Sequence, residues 1–193
     1  MFTWASALGS GTTAATLGWI IALIAILGLG GFAERQVGNG LLWIASAFLM
    51  SCASISRGLS WAYVDLWVFC FGLGTIIVLD QYARSRRLVW VCIAAVMAGF
   101  AFSSKYTAGM ILPISVVYLC VVWLQSCQPA TSRESRINIG KMKLRSLFRL
   151  SWTDLWRSLV VPVLLYTSIS LITVMPWFVK DFVMTGNPVY PLL

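Results

Sequence analysis

The chain has 193 residues, of which 60% are hydrophobic and 10% charged, with ten tryptophans and a formal net charge of +8. A water-facing domain carries roughly 25% charged residues, so this composition excludes a soluble globular protein. Histidine is absent, which excludes Ser-His-Asp and Cys-His catalysis, His-ligated zinc and histidine proton relays.

A helix crosses the hydrocarbon core with about 20 apolar residues. The stretches 1–33, 36–56, 88–104, 106–132 and 158–179 contain no Asp, Glu, Lys or Arg. The pattern predicts an all-α, polytopic transmembrane helical bundle of about six helices in one domain, 1–193. The first helix covers about 13–32 and leads into the link "AERQVGN". It lacks the basic flank of a signal peptide. Neither "GSGTT" before it nor "LGLGGF" within it has the GxxxxGK[ST] pattern of a phosphate loop. The second helix, about 40–55, is followed by "SRGLSWA", and the third, about 63–79, by the basic link "DQYARSRR". The fourth, about 88–102, turns at "SSKYT" into the fifth, about 108–124. A polar segment, about 125–158, precedes the sixth helix, about 159–177, which runs into "PWFVKDFVMTGNPVYPLL". The five cysteines, Cys52, Cys70, Cys92, Cys120 and Cys127, show no CxxC spacing and fall mostly in apolar runs, where a thiol packs as a small hydrophobe.

Lys and Arg concentrate in cytoplasmic links. Eleven of the fourteen fall on one set of alternate links, and only Arg57, Lys105 and Lys180 fall on the other. The first set is therefore expected inside. "SRGLSWAYVD", "SSKYT" and "GNPVYP" are expected on the outer face. Within the long inner segment, Leu144, Leu147, Phe148, Trp152 and Leu155 recur near helical spacing, with Lys141, Lys143, Arg145 and Arg149 between them. A basic amphipathic helix of this kind lies on anionic lipid, each cation adding about 1 kcal/mol. The positive charge thus points to membrane lipids as partners and not to nucleic acid.

Two outer-face residues are candidates for function. Asp65 stands among Trp61, Tyr63, Trp67 and Phe69 at the outer end of the third helix. A carboxylate there faces a watery cavity or a partner, or complements the helix dipole as an N-terminal acid. Lys105 lies in a very tight turn, where it snorkels beside Tyr106 or binds a phosphate or other anion. One carboxylate and three cations on a single face suit a reaction with a lipid phosphate. In the tail, Pro188 and Pro191 fix φ and remove backbone donors, while Gly186 and Asn187 accept turn conformations. That combination ends the helix sharply and presets an extended loop, or makes an ordinary interfacial turn.

The order "YVDL", "AGFAFSSKYTAGMILP" and "PWFVKDFVMTGNPVYPLL" resembles the bacterial membrane glycosyltransferases of family 39 and their relatives. The pattern there is "Y.D" after the third span, "G.a..tKYta...lP" across the next pair and "PW..kn....GNP.yP" later. The resemblance covers roughly residues 40–193. It implies a C-type glycosyltransferase fold in the plasma (inner) membrane. It also implies inverting, hexosyltransferase-type transfer, at the extracytoplasmic face, from a polyprenyl-phosphate-linked sugar donor to a lipid, glycan or protein acceptor of the cell envelope. By the same resemblance a carboxylate is the base, and Asp65 occupies the second-loop acidic position, where it orients the acceptor or, in some branches, helps hold a divalent metal. Lys105 and Tyr106 match the "KY" motif, with Lys105 facing the donor phosphate. Arg57, Lys180 and Asn187 complete the expected substrate-binding set.

The family begins with a span and a long outer loop bearing its principal acid. Here no acid precedes Glu34, and family members continue through further spans beyond "GNPVYP". The resemblance therefore implies an incomplete member, inactive as this segment alone. The rival expectation is a non-enzymatic multi-pass protein, a transporter segment or assembly subunit. Such proteins show internal repeats and ionisable residues in mid-span, and neither is legible here.

Overall fold

The computed structural model describes residues 11–38, 40–53, 64–126 and 155–188. They form helices only: α1 (Gly11–Val37), α2 (Leu41–Ser51), α3 (Asp65–Ser85), α4 (Leu88–Ser104), α5 (Ile111–Ser126) and α6 (Val161–Thr185). A 3₁₀ turn, Tyr106–Met110, leads into α5, and a π-helical turn, Trp156–Val160, leads into α6. Among the described residues four helical stretches are long and apolar enough to cross a membrane, namely Thr16–Val37, Asp65–Ser85, Tyr106–Ser126 and Trp156–Thr185, with α2 and α4 as shorter apolar helices. The chain is a multi-pass helical membrane protein. Its outward surface agrees, since Trp43, Phe48, Ile114, Ile172 and Met184 are all exposed. In water that surface would be a liability, whereas in lipid it is solvated.

A short apolar helix, α4, organises the bundle. α4 lies between α3 and α6, while α1 packs against α2 and α3. Its buried face consists of Val91, Ala94, Ala95, Ala98, Gly99 and Ala101. Small side chains let helix backbones approach closely where no hydrophobic driving force operates between helices. A β-carbon on Gly99 would stand 2.5 Å from Thr173 Cβ and 2.9 Å from the Ser170 carbonyl oxygen. At the same crossing the buried Ser170 hydroxyl donates to the Ala95 carbonyl at 3.0 Å. Leu79 and Tyr82 of α3, Leu119 and Val122 of α5 and Tyr166 of α6 close the core around the alanines.

Three helices run several residues further than the hydropathy of the sequence predicts: α1 continues past 32 to Val37, and α3 and α6 extend furthest. α3 continues past 79 to Ser85, because Arg84 Nε meets Asp80 Oδ2 at 2.8 Å one turn back and Ser85 Oγ donates to the Gln81 carbonyl. α6 continues past 177 to Thr185, through Pro176, so Lys180 and Asp181 lie inside the helix and not in a tail beyond it. The predicted sharp stop occurs at Gly186, whose φ of 74° is open to glycine and whose N–H caps the Phe182 carbonyl at 2.8 Å. The α3–α4 connection is tight. Arg86 adopts φ 55°, and its guanidinium donates to the Val122 carbonyl of α5 at 3.1 Å. The expected amphipathic segment lies largely outside the described residues, as do Arg57, Trp61, Tyr63 and Pro191.

Candidate functional site

One end of the bundle gathers the start of α3, the α4–α5 turn and the last turns of α6. Asp65 is the first residue of α3, where its charge complements the helix dipole. Lys105 is a single extended residue, φ −158° and ψ 130°, between α4 and the 3₁₀ turn. This conformation sends the two residues of the "KY" pair to different helices. Lys105 Nζ donates to Asp65 Oδ1 at 2.7 Å, and the Tyr106 hydroxyl donates to Asp181 Oδ2 at 2.7 Å. On α6, Lys180 Nζ stands 3.9 Å from Asp181 Oδ1 and 3.9 Å from the centre of the Trp177 ring. Phe102 fixes the turn from beneath, with its ring edge-on to Tyr106 and to Phe178.

The two carboxylates differ in what holds them. Asp65 and Lys105 keep 59% and 45% of their side-chain surface in the open. An exposed pair of this kind contributes about 0–1 kcal/mol, so stability does not explain its placement. Asp181 keeps only 7% of its surface, and burying a carboxylate is expensive unless its oxygens are met. The Tyr106 hydroxyl meets Asp181 Oδ2 directly, and the Lys180 ammonium, 3.9 Å from Oδ1, adds an opposite charge at longer range. The Thr185 hydroxyl then ties the corner together, donating to the Asp181 carbonyl at 2.7 Å and accepting from the Asn187 backbone N–H at 3.2 Å.

Two hollows flank Lys105. On the side of α4, a cavity of about 300 Å³ is lined by Val64, Trp67, Phe71, Phe100, Ser103, Ser104 and Trp177. On the side of α5, a groove of about 570 Å³ runs down the bundle between α3 and α5, past Thr107, Ile111, Gly72, Ile76, Ile114 and Tyr118. The groove is almost wholly apolar. Consecutive residues of one turn thus serve the cavity (Ser103, Ser104), the ion pair (Lys105) and the groove (Thr107, Ala108).

Of the site residues expected from sequence, the structure brings Asp65, Lys105, Tyr106 and Lys180 to this one end. It places Asn187 just beyond α6 at the same corner, while Arg57 lies outside the described residues. Sequence reasoning missed Asp181 and Trp177. Their spacing of four residues carried the signal, since it puts both on one face of any helix that continues past 177. Among the described residues no three His, Cys, Asp or Glu side chains converge, and the partner of Asp65 is an ammonium group. These residues do not fit a divalent-metal site.

The fold and this site define a multi-pass helical membrane protein with a polar corner at one end of its bundle. Comparison with protein-family models, with curated proteins and with solved structures finds no match.

Proposed function

We propose that this protein takes part in sugar transfer from a polyprenyl-phosphate donor to a hydroxyl-bearing acceptor, at the extracytoplasmic face of the plasma membrane. One observation carries the reading: a cation–carboxylate pair, Lys105–Asp65, stands at the head of an apolar groove between membrane-spanning helices. A lipid phosphate has the matching form, a long hydrocarbon tail below a compact anion. The tail lies along α3 and α5, and the phosphate meets Lys105. A lysine ammonium has three donors, so Lys105 reaches a phosphate oxygen while it still holds Asp65.

In the reaction, the acceptor oxygen forms a bond to the anomeric carbon from the face opposite the phosphate. The bond from that carbon to the phosphate oxygen breaks, and its electron pair leaves with the phosphate. Lys105 stabilises the leaving charge, an electrostatic contribution of the kind that dominates many such transfers. Asp65 accepts a hydrogen bond from the acceptor hydroxyl, orients it and, as the open carboxylate of this corner among the described residues, takes up the hydroxyl proton. The resemblance in "YVDL", "SSKYTAGMILP" and "GNPVYP" supports the sugar and the lipid carrier. The excess of Lys and Arg on the opposite set of links supports the outer face.

Transfer of labelled sugar from a polyprenyl-phosphate donor, measured in native membranes, tests the reading. Asp65→Asn is expected to lower it by about 10²-fold or more, with membrane insertion unchanged. Full transfer by that variant reduces Asp65 to a helix-end acid. Because the resemblance implies that this segment alone is inactive, the assay is made on the completed protein, and absence of transfer there rejects the enzyme and favours a non-enzymatic membrane subunit.

A further inference from the structure

The cavity beside Lys105 differs in chemistry from the groove on its other side. Its walls are aromatic: Trp67, Phe71 and Phe100 form a row with ring centres 6.0 Å and 5.5 Å apart, and Trp177 closes the volume from α6. Two hydroxyls, of Ser103 and Ser104, line the same space. Each donates to its own helix, to the Gly99 carbonyl at 2.9 Å and the Phe100 carbonyl at 2.8 Å. Their hydrogens are therefore engaged, and their oxygens retain acceptor capacity for an incoming O–H. The neighbours in sequence of two lining residues, Asp65 after Val64 and Lys105 after Ser104, form the ion pair at the rim.

A lipid tail needs neither the hydroxyls nor the charged rim. A pyranose ring needs both kinds of wall. Its C–H faces stack on aromatic rings, its equatorial hydroxyls seek acceptors and donors, and a volume of about 300 Å³ is at the small end of ligand pockets, the size of a monosaccharide and not of an oligosaccharide. We propose that this cavity is a monosaccharide subsite. It holds one pyranose between the row Trp67–Phe71–Phe100 and Trp177, with Ser103 and Ser104 accepting from ring hydroxyls and Asp65 and Lys105 bounding its exit. The subsite rests on the transferase reading for its purpose, and the ring belongs either to the donor sugar or to a sugar acceptor.

Saturation-transfer NMR with methyl hexopyranosides, on the full chain in lipid nanodiscs, tests the subsite without requiring turnover. Saturation is expected to reach the ring C–H protons in the unsubstituted protein. Trp177→Ala, which removes one wall, is expected to weaken binding by about tenfold or more. Ser104→Phe, which fills the space, is expected to abolish the signal. The gentler Ser103→Ala/Ser104→Ala variant is expected to weaken it should the larger residue disturb the fold. No saturation in the unsubstituted protein, an undiminished signal in the filled and serine-free variants, or displacement of the glycoside by a plain hydrocarbon each overturns the proposal. In parallel, a fluorescent polyprenyl phosphate is expected to bind Ser104→Phe normally and Lys105→Gln weakly. Failure of that lipid to bind the unsubstituted protein counts against the transferase reading, while the glycoside result still decides the cavity. In a transfer assay, an increase in KM for the donor alone in Trp177→Ala assigns the ring to the donor, and an increase for the acceptor alone assigns it to the acceptor.

Discussion

The two ends of the bundle use charge in different ways. At the α3–α4 turn, Arg84 pairs with Asp80 within its own helix and with Gln36 of α1 at 2.7 Å, Arg35 donates to Gln81 at 3.2 Å, and Arg86 donates to the Val122 carbonyl of α5. The inter-helix acceptors are neutral amides or backbone, and the bonds fasten α1 and α5 to α3 at the bundle edge. At the other end, Lys105 and Tyr106 reach carboxylates 40 and 75 residues away in sequence. One of those carboxylates is open beside a cavity and the other is withdrawn from water. The contrast separates fastening from binding. Charges that meet neutral partners at an edge clamp helices, whereas carboxylates gathered beside hollows form a site.

Substitutions can break or sharpen this contrast, and reversible unfolding in mixed detergent measures each in the same units. Gly99→Val is expected to have the largest effect, about 3 kcal/mol, since the β-carbon has no space against Thr173 and Ser170. It should part α6 from α4 and so separate Asp181 from Tyr106, while the Arg84–Gln36 clamp, on other helices, survives. A loss below about 0.5 kcal/mol would show that the crossing is loose. Asp181→Asn is expected to cost about 1–2 kcal/mol, because the Tyr106 bond passes from a charged to a neutral acceptor inside the protein. Asp65→Asn breaks an exposed pair and is expected to shift stability by less than about 1 kcal/mol while greatly reducing transfer. Arg84→Gln is expected to change stability least, by about 0.3–0.5 kcal/mol, with transfer unchanged. Equal effects of Asp65→Asn and Arg84→Gln on both measurements would erase the distinction between the ends.

Sidedness can be checked independently. Cysteines placed at Asp65 and Asn187 are expected to react with the same membrane-impermeant reagent, applied from outside. Labelling from opposite sides would remove the site.

Most of the helical plan was legible, because uncharged stretches of spanning length have few alternatives in a polar-poor chain. The alternation of basic links also anticipated that Asp65, Lys105 and Lys180 share one end. Asp181 was not legible for a specific reason. Hydropathy ends a span at its first charge, so "KDF" read as the mouth of α6. In the structure, Trp177 and Tyr106 satisfy Lys180 and Asp181 from neighbouring positions, and the helix continues. Of these partners only Tyr106 comes from elsewhere in the chain, 75 residues away; Trp177 is one turn back on the same helix. The extension of α3 had a local signal, the Asp80–Arg84 spacing of one turn, which hydropathy does not weigh. The cavity lay beyond sequence, since its walls come from three helices.

The π-helical turn at Trp156–Val160 gives α6 a place that tolerates shortening. Such a turn carries one residue more than the α-helix it interrupts. Deleting one residue there can be absorbed by tightening, so that Ser170, Val174 and Asp181 still face α4. The same deletion further along would swing everything beyond it by about 100°, turning the aspartate out toward the hydrocarbon.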